Sequence, residues 1–350
     1  MKILQIFLMA FLLAGCCKNN FYSVSIADNE HGGIYQDSKL ILQLPRLSHI
    51  IRNNGTLYVT QNAARKSADK SGQIYAIDRH SMQILQSVKV NGITPCHAVV
   101  SPDGKFLYTA NYSSGSVSEI PLANGIPTAT PRVISHQGKG KDLRRQKSPH
   151  PHFAGFDPAG NKLFICDLGT DEIVIYNYIS GKGIVLPCVE KLKLAPGAGP
   201  RHLAFAPDGK TIYTANELDS TATSFVKVGS GWKKQKTIST RAANHPAEKK
   251  NFPGAIKITS CGKYFFITNR GDDTIAMFKT SDNGDFELIA NVDSNGKYPS
   301  DILLTSNDTL LRTINLKTGT VAEFKLDKTA GTLEVIPETS SVPRGIGLCD

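Results

Sequence analysis

The sequence predicts an all-β fold, a single β-propeller of seven blades with four antiparallel strands each. Three observations predict it: an internal repeat of about fifty residues, a tight turn between two apolar runs in every copy that carries glycine in five of the six, and the absence of any sustained helical period.

The repeat is clearest in four eleven-residue segments. They are SPDGKFLYTAN (Ser101 to Asn111), DPAGNKLFICD (Asp157 to Asp167), APDGKTIYTAN (Ala206 to Asn216) and TSCGKYFFITN (Thr259 to Asn269). Weaker copies flank them, RNNGTLYVTQN (Arg52 to Asn62) and TSNDTLLRTIN (Thr305 to Asn315). Their last residues, Asn62, Asn111, Asp167, Asn216, Asn269 and Asn315, are spaced by 49, 56, 49, 53 and 46 residues. That is the length of one four-stranded blade.

Within each copy the turn requires positive φ, which glycine supplies without steric cost. Strand A therefore precedes the turn and strand B follows it. Runs such as Gly115 to Leu122, Glu172 to Tyr178, Thr221 to Val228 and Thr274 to Lys279 supply strand C. Six copies leave residues 21 to about 50 and 325 to 350 over. Together they are expected to form a seventh, composite blade, which closes the ring and removes free sheet edges.

The first fifteen residues lie outside this body. Lys2 is followed by an apolar run, Ile3 to Leu13, too short to span a bilayer as a helix, which reads as an export signal. Leu13-Ala14-Gly15-Cys16 resembles the bacterial lipobox, which makes Cys16 the expected acylation point and residues 16–20 a short tether. The folded domain then runs from 21 to 350, and the expected location is the cell envelope, on a membrane-anchored lipoprotein; a periplasmic or secreted protein is the alternative.

The remaining cysteines, Cys96, Cys166, Cys188, Cys261 and Cys349, show neither C-x-x-C spacing nor clustering with histidines. This argues against structural zinc and against a disulfide framework. A surplus of 40 Lys and Arg over 30 Asp and Glu suits anionic ligands. The basic residues are scattered, and no stacking aromatics or groove-entering helix accompany them, so nucleic acid is not an expected partner.

Repeat geometry also selects a candidate site. In an antiparallel hairpin the start of strand A lies beside the end of strand B, which brings Arg201 opposite Asn216 and next to Glu217. Stepping back 49 residues from Arg201 gives His152, and stepping forward 53 from Glu217 gives Arg270. These four ionisable residues are expected on one rim, across three successive blades. The same slots hold Cys96, Tyr112, Leu168, Gly254, Ser300 and Leu316 elsewhere, so the charges are not a ring-wide pairing scheme.

The long 56-residue interval carries SHQGKGKDLRRQKSPHP (Ser135 to Pro151), a basic loop entering a strand A and hence expected on the same rim. His136, Arg145 and His150 in this loop, with Asn216, are candidate substrate contacts. His136 and His150 lack the spacing and carboxylate partners of a metal site.

Four stretches, TPCHAVVSPDGKFLYTANYSSGSV, HQGKGKDLRRQKSPHPHFAGFDPAG, GPRHLAFAPDGKTIYTANELDST and ITNRGDDTIAMF, extend over roughly Pro95 to Phe278. They resemble the bacterial lactonase family of seven-bladed propellers typified by cycloisomerase-type 6-phosphogluconolactonase. In a fungal relative that forms a lactone from carboxymuconate, the proposed site is a histidine, two arginines and a glutamate. The resemblance implies that role for His152 or its neighbour His150, for Arg201 and Arg270, and for Glu217.

It further implies hydrolysis of a small anionic lactone without metal or organic cofactor. The lipobox departs from this pattern, because phosphogluconolactone arises inside the cytoplasm, and it directs attention to a sugar or hydroxy-acid lactone met outside. A non-catalytic binding propeller and a lactonising cycloisomerase are the competing readings.

Overall fold

The computed structural model describes residues 21–350 apart from 129, 243–245 and 247. The export signal, Cys16 and the tether lie outside the described residues.

Seven antiparallel sheets of four or five strands surround a central channel. Six are built from consecutive chain: Leu47–Ile93, Pro95–Ser135, Pro151–Lys193, Pro200–Ser239, Pro253–Asp293 and Pro299–Ser341, here blades 1 to 6. The first strand of each lies innermost, and five of these six strands start at proline. Proline is tolerated there because a strand's first residue need not donate to the ladder.

Blade 7 is composite, as expected, but smaller than the leftover lengths suggest. Gly345–Cys349 is its inner strand, and Tyr22–Ser25, Gly33–Gln36 and Lys39–Gln43 complete it. Residues Thr320–Asp327 and Thr332–Ser341 belong instead to blade 6 as its two outer strands. Closure is clamped by Asp301 of blade 6, whose carboxylate accepts Leu348 N–H of blade 7 at 2.9 Å and Ile302 N–H at 2.9 Å.

The second strand of a blade has neighbours on both faces, so its residues are apolar in an almost unbroken run. FLYTAN, TIYTAN and YFFITN are buried nearly throughout. Between blades 4 and 5, Tyr213, Phe265, Phe278 and Phe286 stack with centroids 4.5 to 5.7 Å apart. The turns behave as predicted: Gly104, Gly160, Gly209 and Gly262 sit at φ between 65° and 72°, and Asn54 and Asp308 take the left-handed position in the weaker copies.

One local feature of the inner strands could not be read from the repeat. In blades 1 to 6 the pairing of strand A with strand B slips next to the first residue, so that Pro200 faces Asn216 while His202 faces Ala215. Arg201 is therefore the extra residue of a β-bulge, not the direct partner of Asn216 as hairpin counting expects. A bulge interrupts side-chain alternation. Consecutive residues Ser48–His49, Cys96–His97, His152–Phe153, Arg201–His202 and Ser300–Asp301 all line the channel as a result.

Candidate active site

Two backbone devices place the site. The bulge aims the second residue of strand A at the channel mouth. Just beyond strand B, a hydrogen bond ties the next residue to the segment entering strand A. Glu217 N–H thus donates to Gly199 O at 2.8 Å, Arg270 N–H to Phe252 O at 3.2 Å, and Tyr112 N–H to Thr94 O at 3.0 Å. The same scaffold recurs from blade to blade, and side-chain identity alone makes one sector chemical.

The structure brings His152, Arg201, Glu217 and Arg270 together at that mouth. Glu217 is the hub: its Oε2 accepts from Arg270 Nη2 at 2.5 Å, and its Oε1 accepts from Arg145 Nη2 at 2.6 Å. Arg201 Nε lies 3.2 Å from Oε2, an ion-pair distance without hydrogen-bond alignment. Three guanidinium groups therefore converge on one carboxylate. Burial opposes the charge on Glu217, yet Arg270 and Arg201 outweigh it and hold its pKa well below the usual carboxylate range.

Arg270 is fixed further by Phe252 O at 3.0 Å and by the face of Tyr298, 5.5 Å from its guanidinium carbon. Arg201 is buried, and burial together with Arg270 lowers its pKa to about 10, so it remains a cation near neutral pH.

His152 stands over this group, edge-on to Tyr112 at 5.6 Å and to His202 at 5.3 Å. Its Nδ1 is buried without a hydrogen-bond partner in the protein. Burial, then Arg201, drive its pKa well below the usual imidazole value, leaving a neutral ring with an unused nitrogen. Thr94, Cys96, Tyr112, Phe252 and Tyr298 complete the walls of a cavity of about 320 Å³ with Arg145, His152, Glu217 and Arg270, while Arg201 faces the adjoining central channel. Cys96 is no nucleophile, since burial pushes its thiol up to about 12.

The other sequence candidates divide. Arg145 joins the cluster through Glu217 and also donates to Tyr112 Oη at 3.3 Å. His150 stacks on the Tyr112 ring at 4.4 Å, with Nδ1 2.8 Å from the Tyr112 carbonyl, and it does not line the cavity. His136 is a correction: Asp167 Oδ2 holds its Nδ1 at 2.7 Å and Tyr176 Oη its Nε2 at 3.2 Å, in a separate cavity of blades 2 and 3. Asn216 is also corrected. It is fully buried and bonds Thr221 Oγ1 at 2.8 Å and Thr223 Oγ1 at 2.9 Å, tying strand B to strand C.

Sequence reasoning missed His202. Arg201 Nη1 donates to His202 Nε2 at 3.2 Å, its one hydrogen bond to another side chain among the described residues. His202 is kept neutral by burial, then by Arg201, and so accepts this bond rather than repelling the guanidinium. Its contact with Arg201 suits it to hold that guanidinium in place. His202→Phe should lower turnover about tenfold, the cost of losing one charge-assisted bond. His202→Gln, whose amide oxygen can accept from Arg201, should recover part of it in the same steady-state assay; equal losses in both variants would refute the positioning role.

These features bear on kinship. The family description "Lactonase, 7-bladed beta-propeller" fits residues 13–348. The chain belongs to this family. Among its relatives is the 6-phosphogluconolactonase of Bacillus subtilis strain 168, 32% identical over 300 residues that make up 83% of each chain. An uncharacterized protein of Staphylococcus saprophyticus is 29% identical over 334 residues, 91% of this chain and 92% of the other. Of the solved structures, a putative 6-phosphogluconolactonase from Bacteroides fragilis superposes with a TM-score of 0.82 at 27% identity, covering 94% of this chain and 97% of that one. The periplasmic gluconolactonase of Pseudomonas aeruginosa shares the fold, with a TM-score of 0.82 at 24% identity over 94% of this chain and 98% of that one.

Proposed function

We propose that this lactonase-family propeller hydrolyses the lactone of a sugar acid or related hydroxy acid. The observation that carries the proposal is the convergence of three arginines on Glu217 at the channel mouth, beside a neutral histidine with an unpaired ring nitrogen. Such a set matches what ester hydrolysis requires, a base for water and fixed positive charge where an oxyanion develops.

In this reading His152 accepts a proton from water as the oxygen attacks the ring carbonyl carbon. The carbonyl electrons move onto oxygen, and Arg201 and Arg270 stabilise the alkoxide so formed. Collapse of the tetrahedral intermediate breaks the ring C–O bond, and the departing alkoxide takes the proton from His152. Both oxygens of Glu217 are engaged by guanidinium groups, which it orients and whose mutual repulsion it limits, whereas His152 Nδ1 has no partner in the protein and is free to take the proton. Each step uses groups of this chain and water.

We place the reaction in the cell envelope on the strength of the lipobox at Cys16. A panel of five- and six-membered sugar-acid lactones, with and without a phosphate, tests the activity with protein beginning at residue 21. Ring opening at rates well above spontaneous hydrolysis is expected; none with any lactone would favour a binding propeller. For the anchor, Cys16→Ser should move the protein from the membrane to the soluble fraction. Unchanged membrane partition would overturn that assignment.

A further inference from the structure

One buried carboxylate ties together the two segments that hold Glu217. Asp171 sits in the turn between the second and third strands of blade 3, Lys162–Asp167 and Glu172–Ile179, and is 6% exposed. Its Oδ1 accepts Gln146 Nε2 at 2.7 Å and Gly199 N–H at 2.8 Å, and its Oδ2 accepts Gly197 N–H at 2.7 Å. Gln146 belongs to the basic loop, whereas Gly197 and Gly199 belong to the segment joining blades 3 and 4.

Both segments end on Glu217. Gly199 O accepts the backbone N–H of Glu217 at 2.8 Å, and Arg145, the chain neighbour of Gln146, donates to its Oε1 at 2.6 Å. Gln146 anchors the loop: it is buried, its Nε2 also donates to Leu168 O at 2.8 Å, and its Oε1 accepts Asp142 N–H at 2.9 Å. The main chain and the side chain of Glu217 therefore both trace back to Asp171.

The turn itself does not require a carboxylate. Asp171 is left-handed, at φ 58°, a conformation that glycine adopts freely and a side chain adopts at a cost. Blades 2 and 6 carry Gly115 and Gly319 at the same slot, at φ 64° and 74°, and build the same hairpin. Aspartate returns there in blade 5, where Asp273, at φ 60°, accepts the N–H of Tyr298 at 2.8 Å, and the Tyr298 ring faces the Arg270 guanidinium. In both blades the carboxylate fills the slot where the next connecting segment carries part of the site.

We infer that Asp171 is a positioning residue of the proposed active site, which sets Arg145 and Glu217 against each other through Gln146 and Gly199. The inference rests on the lactonase reading. Because Glu217 orients Arg201 and Arg270, a shift at Asp171 reaches the groups that meet the oxyanion, and a misplacement of about 1 Å can cost about a hundredfold in rate.

Asp171→Gly tests this, since it keeps a residue suited to the backbone while removing the acceptor for all three donors. On the best lactone kcat should fall about tenfold or more, with a smaller change in KM. Asp171→Asn tolerates the same backbone and keeps one amide oxygen for Gln146 and Gly199, so it should recover part of the rate. A second measurement does not depend on turnover: phenylglyoxal modification followed residue by residue by mass spectrometry, with the exposed neighbour Arg144 as internal reference. Arg145 should become several-fold more reactive relative to Arg144 in Asp171→Gly at an unchanged thermal melt, and Gln146→Leu should reproduce both effects. Should the glycine variant melt far below wild type, Asp171→Asn and Gln146→Leu carry the comparison. Wild-type kcat in the folded variants overturns the inference, and so does unchanged Arg145 reactivity. If wild type opens no lactone, the lactonase reading has failed, and arginine reactivity alone decides whether Asp171 holds the cluster.

Discussion

Arg201→Ala is expected to lower kcat on the best lactone by two to three orders of magnitude, the loss seen when one preorganised oxyanion donor is removed. The magnitude follows from where the guanidinium sits. It is buried, so its field is little screened, and it is held by His202 Nε2 at 3.2 Å and Glu217 Oε2 at 3.2 Å before substrate arrives. Water admitted by the truncated side chain can donate a hydrogen bond but brings no charge. KM should change less than kcat, because the charge that Arg201 meets is fully developed only in the transition state.

Arg270→Ala should resemble it, whereas His152→Ala should remove most of the remaining rate. Glu217→Gln separates two roles. If Glu217 orients the arginines, turnover falls and the pH dependence set by His152 persists; if it is the base, that dependence disappears. Loss of fold is not expected on replacing Arg201, since Glu217 keeps Arg270 and Arg145. Circular dichroism and thermal melting check this directly. Wild-type turnover in folded Arg201→Ala and His152→Ala proteins would rule out the site.

The fold and the cluster were legible for one physical reason, which is that a propeller repeats its backbone. Once Asn216 and Asn269 are recognised as equivalent, Glu217 and Arg270 must share a rim, whatever their chemistry. The turn glycines could be read in the same way, because a positive φ leaves few choices of residue. The misreadings concern side-chain direction. Asn216 ends a conserved-length hairpin, and the same repetition that located it hides its use as a strand-to-strand clamp.

His136 shares a loop with Arg145, but loop membership does not say which way a ring points, and Asp167 turns it inward. Strict alternation sends Arg201 and His202 to opposite faces of the strand. The bulge overrides that, and its only trace in the sequence is a histidine two residues after the strand's first residue in Leu47-Ser48-His49, Pro95-Cys96-His97 and Pro200-Arg201-His202.

Those bulge-borne histidines lead to a second large effect, on stability rather than rate: the folded state should weaken steeply as pH falls below about 6.5, the ordinary value for imidazole. His97 lies 4.2 Å from His49 and 5.3 Å from His202, and His202 lies 5.3 Å from His152, ring centre to ring centre. All four share the channel with Arg201, Lys257 and Arg270 and with the carboxylate of Asp301. Burial, then neighbouring charges, lower the pKa of His49 to about 3 and those of His97, His152 and His202 well below the usual value.

The unfolded chain binds protons at these rings below pH 6.5 and the folded chain does not, so stability rises with pH through this window and is lost as pH falls. Each ring contributes about 1.4 kcal/mol per pH unit at most, and four together about 5.5 kcal/mol per pH unit. Part of each ring faces the channel, which makes this an upper bound. Glu217, with its depressed pKa, adds to the loss only below its unfolded value of about 4.5. Burial raises the pKa of Asp301, which therefore opposes the loss at lower pH. Between pH 6.5 and 5 the histidines dominate. Against a typical total of about 5 to 15 kcal/mol, the loss is a large fraction of the stability. Urea melts at pH 7.5, 6.0 and 5.0 should show a slope of two or more protons taken up on unfolding. In His49→Asn and His97→Asn that slope should fall by about one proton each, and a stability that does not change over this range would show that the channel histidines are solvated and titrate normally.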